Sequence, residues 1–101
     1  MRYLLLLWGD AEAEAALPVA ERRAIVEQHM AYSARLREAG AMVLAEPVGP
    51  ALIDGPFAET KEQVGGFYVI ECASDDEAER WAQQVPQSPG LAVELREIPA
   101  L

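Results

Sequence analysis

His29 is the one histidine of the chain and the residue best suited to proton transfer at neutral pH. Its unperturbed pKa is about 6.5, so an imidazole can both take up and release a proton near pH 7. At helical spacing, His29 shares a face with Arg22, Ile25, Val26, Ser33 and Leu36, which we expect to pack on a sheet. An interior histidine bonded to a backbone carbonyl or to Tyr32 would explain the same position without catalysis, and both interpretations stay open.

Asp54 opens a dense run, residues 54–67, that begins with an Asp-Gly-Pro turn and includes a Gly-Gly pair. An Asp in such a turn accepts backbone N–H groups, while Gly and Pro supply the special backbone angles. A carboxylate held in this way can still present one oxygen to a neighbour. Asp54 is therefore a candidate partner of His29 as well as a turn residue.

Four further residues of the same run are candidates for binding a substrate. Glu59 and Lys61 could line the mouth of a pocket, or they could belong to a solvated loop. Gly65 and Gly66 precede an aromatic strand and permit close approach of the backbone to a ligand or to another chain segment.

The composition excludes several classes of function. The chain has a net charge of −9, with 17 acidic and 8 basic residues, and no basic patch, so we expect no nucleic-acid partner. A single histidine without His/Cys spacing predicts no metal, and the absence of a phosphate loop or dinucleotide fingerprint predicts no cofactor. No apolar stretch reaches membrane-spanning length, and the lone Cys72 fits a reducing compartment, so we expect a cytoplasmic protein with Cys72 in the core.

The hydrophobic pattern predicts a single domain over residues 1–101. A continuous apolar run predicts a central strand over residues 2–8, and a helix is expected from Pro18 to Gly40. Ser74 and Glu77 form a capping box that opens a second helix, ending at about Val85. Further strands are expected at residues 41–48, 67–72 and 91–96. In residues 67–72, Phe67, Val69 and Glu71 are expected on one face and Tyr68, Ile70 and Cys72 on the other. Residues 51–54 are expected to be a short strand or an edge segment, and residues 10–17 a loop or a frayed turn.

This order predicts an α+β protein of the ferredoxin-like type, βαββαβ, with an antiparallel sheet and both helices on one face. The strands carry apolar residues on both faces, but the helices can cover only one. We therefore expect a homodimer, in which the open sheet face of one copy packs on that of the other.

The run Asp-Gly-Pro-Phe-Ala-Glu-Thr-Lys-Glu at 54–62, followed by Gly-Gly-Phe-Tyr-Val-Ile at 65–70, resembles the signature of the DGPF-type proteins of the YCII-related family. Residues 2–10 and 93–98 are similar to the first and last strands of that family. The resemblance implies a dimeric α+β barrel of ferredoxin-like subunits. Most members have no assigned function, although a few relatives are small-molecule enzymes, including a dehydrochlorinase of chlorinated hydroxyquinols. Some members are encoded near extracytoplasmic-function sigma factors or fused to them.

In the broader YCII group, a His and an Asp are proposed to form a catalytic pair, and that His matches His29. The Asp of that group lies in an Asp-Pro motif near the end of the second helix, where residues 83–90 of this chain contain no Asp. Asp54 is the expected replacement.

Two hypotheses follow, and whether the protein is an enzyme stays open between them. The first is acid–base, lyase-like chemistry on a small organic molecule, with His29 as acid or base and Asp54 orienting it. The second is a non-catalytic module that binds a small ligand or takes part in sigma-factor signalling.

Overall fold

The structure, a computed structural model, describes residues 1–53 and 62–101. These residues form four strands and three helices. They are β1 (Arg2–Asp10), α1 (Ala11–Ala15), α2 (Val19–Glu38), β2 (Met42–Pro47), β3 (Glu62–Glu71), α3 (Asp75–Gln83) and β4 (Ala92–Ile98).

The four strands form one antiparallel sheet in the order β2-β3-β1-β4. The predicted α+β, ferredoxin-like arrangement is confirmed, with α2 and α3 on one face of the sheet. The apolar run of β1 lies between β3 and β4, as expected for a central strand. The sequence predicts a short strand or an edge segment at residues 51–54. Residues 51–53 contain no strand, so the short strand is wrong for residues 51–53.

Residues 10–17 are more ordered than a loop or a frayed turn, because Asp10 caps a short helix. Its carboxylate accepts hydrogen bonds from the backbone N–H groups of Glu12 and Ala13, at 3.0 and 3.3 Å. At α3 the predicted N-cap is confirmed, since Ser74 Oγ accepts from the N–H of Glu77 at 3.2 Å. The Glu77 carboxylate completes the cap differently from a standard capping box, because it accepts from the N–H of Ala73, at 2.9 Å, one residue before the N-cap. The helix ends at Gln83, slightly earlier than predicted.

Alternate residues of the central strands form the core. In β3, Tyr68, Ile70 and the following Cys72 are buried while Phe67 and Val69 are half-buried on the other face, which confirms the predicted alternation. The remaining buried residues are Tyr3, Leu5, Leu7, Tyr32, Leu36, Ala41, Ala78 and Val85.

Helix α2 is buried only in its C-terminal half, through Tyr32 and Leu36. The predicted inward stripe is therefore wrong at Arg22 and Val26, which are exposed. The physical reason is that the N-terminal half of α2 borders open cavities instead of the core. Tyr32 ties the buried half to α3, since its hydroxyl donates to the carbonyl of Trp81 at 2.8 Å.

The second face of the sheet has no helix of the described residues over it. Leu4, Leu6, Trp8, Phe67 and Val69 lie there, all half-buried. None of the helices in residues 1–53 and 62–101 combines the length and the hydropathy needed to cross a membrane.

Candidate functional site

A cavity of about 840 Å³ separates α2 from the sheet, which is within the usual size of small-molecule sites. Its floor is formed by β1 and β3, and the edge strand β2 and residues 48–50 form one side. The helix contributes a row of side chains at successive turns: Ile25, His29, Ser33 and Arg37. Because residues four apart lie on one helix face, these four point along the same wall.

His29 meets a sheet residue inside this cavity. Its Nδ1 lies 2.8 Å from the hydroxyl oxygen of Tyr68, which is a short hydrogen bond. The two rings are nearly parallel, with an interplanar angle of 13° and centroids 6.0 Å apart. Tyr32, which the sequence offers as one partner of an interior His29, is wrong as that partner. The Tyr32 hydroxyl donates to the carbonyl of Trp81 in α3 instead.

Burial lowers the pKa of His29 below its usual range, and the negative charge of Glu14 partly opposes this shift. The imidazole is therefore neutral at pH 7, with one N–H group and one lone pair. Burial raises the pKa of Tyr68, and the neighbouring Ser33 hydroxyl opposes that rise, so Tyr68 is a neutral phenol. The pair can exchange a hydrogen bond without either partner being charged.

The core holds the phenol of Tyr68 in place. Its ring meets the ring of Tyr32 edge to face, with centroids 5.2 Å apart. Tyr32 in turn packs edge-on against Trp81, at 6.0 Å. The position of Tyr68, and through it the orientation of the His29 ring, is thus set by buried aromatic contacts.

Two charged residues of the cavity wall were not predicted from the sequence. Glu14 comes from α1, and one of its carboxylate oxygens would lie 3.6 Å from a Cβ built on Gly9. Arg37 is two helical turns beyond His29, near the end of α2. The signals were present: Asp10 is a good N-cap before an Ala/Glu run, and Arg37 continues the spacing of His29 and Ser33.

The predicted site residues of the dense run are only partly described. Asp54, Glu59 and Lys61 lie outside the described residues. Gly65 and Gly66 line the cavity on β3. The pairing of β1 with β3 shifts register here, between Leu7–Gly66 and Trp8–Val64, which leaves Gly65 as an extra residue.

Gly66 approaches another chain segment closely. A Cβ added there would lie 3.2 Å from the carbonyl oxygen of Glu46 on β2 and 3.6 Å from the Cα of Pro47. At Gly65 the nearest atom is the carbonyl oxygen of Leu7, at 4.0 Å. Of the two roles predicted for the glycine pair, the approach to another strand is the one that the geometry of Gly66 requires.

Over the described part of the chain, no group of three His, Cys, Asp or Glu side chains is placed to hold a metal ion. Cys72 is buried, as predicted, and burial raises the pKa of its thiol. It therefore packs as a small apolar residue.

Comparison with known proteins agrees with the resemblance seen in the sequence. Residues 1–99 match the sequence model of the YCII-related domain. The chain is also 34% identical over 99 residues to an uncharacterised protein of Rhizobium meliloti (strain 1021), a match that covers 84% of this chain and 80% of that protein. The chain belongs to the YCII-related family.

Proposed function

We propose that the protein carries out acid–base, lyase-like chemistry on a small organic molecule bound in the cavity between α2 and the sheet. His29 exchanges the proton with the substrate. Tyr68 positions the imidazole, and Asp54 is proposed to orient it further. The substrate enters a site whose walls are apolar except for a few polar side chains, which is the usual make-up of small-molecule sites.

The single observation that carries this proposal is the 2.8 Å contact between His29 Nδ1 and the Tyr68 hydroxyl on the wall of a large cavity. If Nδ1–H donates to Tyr68, the lone pair of Nε2 is available to accept a proton from a substrate. A phenol oxygen has two lone pairs, so it can accept a hydrogen bond from Nδ1–H. The lowered pKa of His29 keeps this base unprotonated at neutral pH.

A deuterium-exchange experiment tests the proposal without knowledge of the complete reaction. Small carbonyl compounds with weakly acidic C–H groups are incubated in D2O with the protein, and loss of the proton signal is followed by NMR. The wild type should catalyse exchange into a subset of the compounds. Removal of a general base typically lowers the rate by about 10²–10⁴, so His29→Gln should lose the exchange.

Two variants control this experiment. Gln28→Ala changes an exposed residue next to His29 that does not line the cavity, and it should retain the exchange. Asp54→Asn should lower the rate if Asp54 orients His29. A wild-type rate in Asp54→Asn would remove Asp54 from the mechanism and leave the His29–Tyr68 pair as the site.

The alternative function is a non-catalytic small-ligand-binding or regulatory module linked to sigma-factor signalling. One observation favours it: the recorded partner of His29 is a neutral phenol with a raised pKa, which is a weak proton acceptor. Saturable binding of a compound to wild type and His29→Gln alike, with no exchange by either protein across the panel, would select this alternative.

We also propose that two copies associate through the open face of the sheet. Leu4, Leu6 and Phe67 supply an apolar centre to that face. Glu94 and Arg96 add a charged edge, joined by an ion pair of 3.0 Å. An apolar centre with a polar rim is the usual organisation of a protein interface, so sedimentation should report a dimer.

A further inference from the structure

The cavity carries opposite charges toward its two ends. Of its described lining residues, those with ionised side chains are Glu14, Arg37 and Glu46. Glu46 on β2 pairs with Phe67 on β3. Because paired residues lie on the same face of a sheet and Phe67 lies on the open face, the Glu46 side chain also lies on the face away from the helices. Glu14 and Arg37 are therefore the charged side chains on the helix side.

Arg37 is placed to reach back toward His29. Arg37 is eight positions after His29 on α2, which corresponds to about 12 Å along the helix axis. Because Cα–Cβ bonds in a helix tilt toward its N-terminus, the side chain of Arg37 is directed toward Ser33 and His29. The remaining gap fits a molecule of several bonds in length.

Arg37 has no acidic partner among residues 1–53 and 62–101; the one ion pair recorded there joins Arg96 and Glu94. A guanidinium beside an apolar cavity is a good bidentate donor to an oxyanion. With a net charge of −9, the protein as a whole repels anions, so an anionic group in this cavity would be held where the local charge is positive.

The position of Arg37 also selects the kind of anion. Arg37 lies in the last turn of α2, where the carbonyl end of the helix carries partial negative charge. That end disfavours a dianion such as a phosphate monoester, for which a helix N-terminus is the usual site. A carboxylate carries a single charge and matches the fork of one guanidinium.

We infer that the cavity binds a small monocarboxylic acid, with its carboxylate on Arg37 and its reacting carbon beside His29. This inference rests on the proposed function for the role of His29, but the binding of the carboxylate does not depend on catalysis.

Binding measurements with defined probes test the inference. The probes are 4-oxopentanoate, phenylacetate and 3-phenylpropanoate, each compared with its primary amide, which has nearly the same shape without the charge. The His29 ring signals in the NMR spectrum report binding, since the chain has one histidine. We expect saturable shifts with at least one acid, and at least tenfold weaker binding of its amide.

Two variants test whether Arg37 is the cation that binds the carboxylate. Arg37→Gln should weaken binding of the acid at least tenfold and leave binding of the amide unchanged. Arg23→Gln is the matched control, because Arg23 is on the same helix and exposed but does not line this cavity. Equal binding of acids and amides, no saturable binding of any acid, or an Arg37→Gln variant that binds like wild type would overturn the inference.

The same measurements separate this inference from the proposed function. His29→Gln should retain binding of the acid, measured by thermal shift, even if it loses all proton exchange. Exchange that is confined to neutral ketones would leave the proposed function intact and overturn the carboxylate class. Binding of acids through Arg37 without any proton exchange would support the carboxylate class and contradict the proposed function.

Discussion

Tyr68→Phe removes one hydroxyl and leaves an aromatic ring in the same place, so it isolates the hydrogen bond to His29. The edge-to-face contact with Tyr32, at 5.2 Å, involves only the ring and is retained. The variant loses the 2.8 Å bond to His29 Nδ1. That bond is worth about 0.5–1.5 kcal/mol, and water can replace part of it in this half-open site. We expect the free energy of unfolding to fall by about 0.5–1.5 kcal/mol, as measured by urea denaturation.

The titration of His29 gives the more informative result, because its direction depends on which atom donates. If Nδ1–H donates to Tyr68, the bond favours the protonated ring, and Tyr68→Phe lowers the pKa of His29 further. If Tyr68 donates to Nδ1, the bond favours the neutral ring, and the variant raises the pKa. The function proposed above requires the first case, because only then is the Nε2 lone pair free.

The assay is an NMR titration of the ring signals, together with ¹⁵N shifts that identify the tautomer directly. Since the chain contains one histidine, the signals need no assignment. Tyr3→Phe is the matched control, because it removes a phenol hydroxyl that bonds Asp75 and leaves the His29–Tyr68 bond intact. A raised pKa in Tyr68→Phe would refute the base role of Nε2, and an unchanged pKa and tautomer would refute the hydrogen bond itself.

Two further predictions concern the strand contacts and the open face. Gly66→Ala should cost about 1–3 kcal/mol of unfolding free energy, because its Cβ would lie 3.2 Å from the Glu46 carbonyl, whereas Gly65→Ala, at 4.0 Å from its nearest atom, should cost much less. Equal losses in chemical denaturation would contradict this account of the glycine pair. Leu6→Glu, in the middle of the open sheet face, should convert a dimer into monomers in sedimentation velocity, while Ala34→Glu on the exposed side of α2 should not. A monomeric wild type, or a dimer that survives Leu6→Glu, would contradict the proposed interface.

Much of the fold could be predicted because each element carries its own local signal. The continuous apolar run of β1 predicted its central position in the sheet, and the alternation of β3 predicted which of its side chains are buried. Ser74 and Glu77 predicted the start of α3. These patterns involve residues that are close in the sequence, so they can be recognised without knowledge of the fold. The extent of the α2 core stripe was harder to predict, because it depends on which part of the helix lies over the sheet.

The candidate site was predictable only in part, for the same reason. His29 stands out by its chemistry, and its position on the sheet-facing side of α2 followed from helical spacing. Its partner Tyr68 lies 39 residues away, and nothing in the local sequence distinguishes Tyr68 from Tyr32 as the partner. Glu14 depends on a five-residue helix whose formation rests mainly on one capping Asp, a weak signal in a sequence.

The uneven burial of α2 has a consequence for how such a protein can change over evolutionary time. Large-to-small substitution of a buried residue such as Leu36 costs about 2–5 kcal/mol, which is a large part of the stability of a small domain. Val26 and Met30 are 58% and 67% exposed and line the cavity, so their replacement reshapes the binding surface at little cost in stability. One helix thus separates the residues that preserve folding from those that shape the cavity for which we propose ligand binding. Under that proposal, new ligand preferences can arise by single substitutions without loss of the fold.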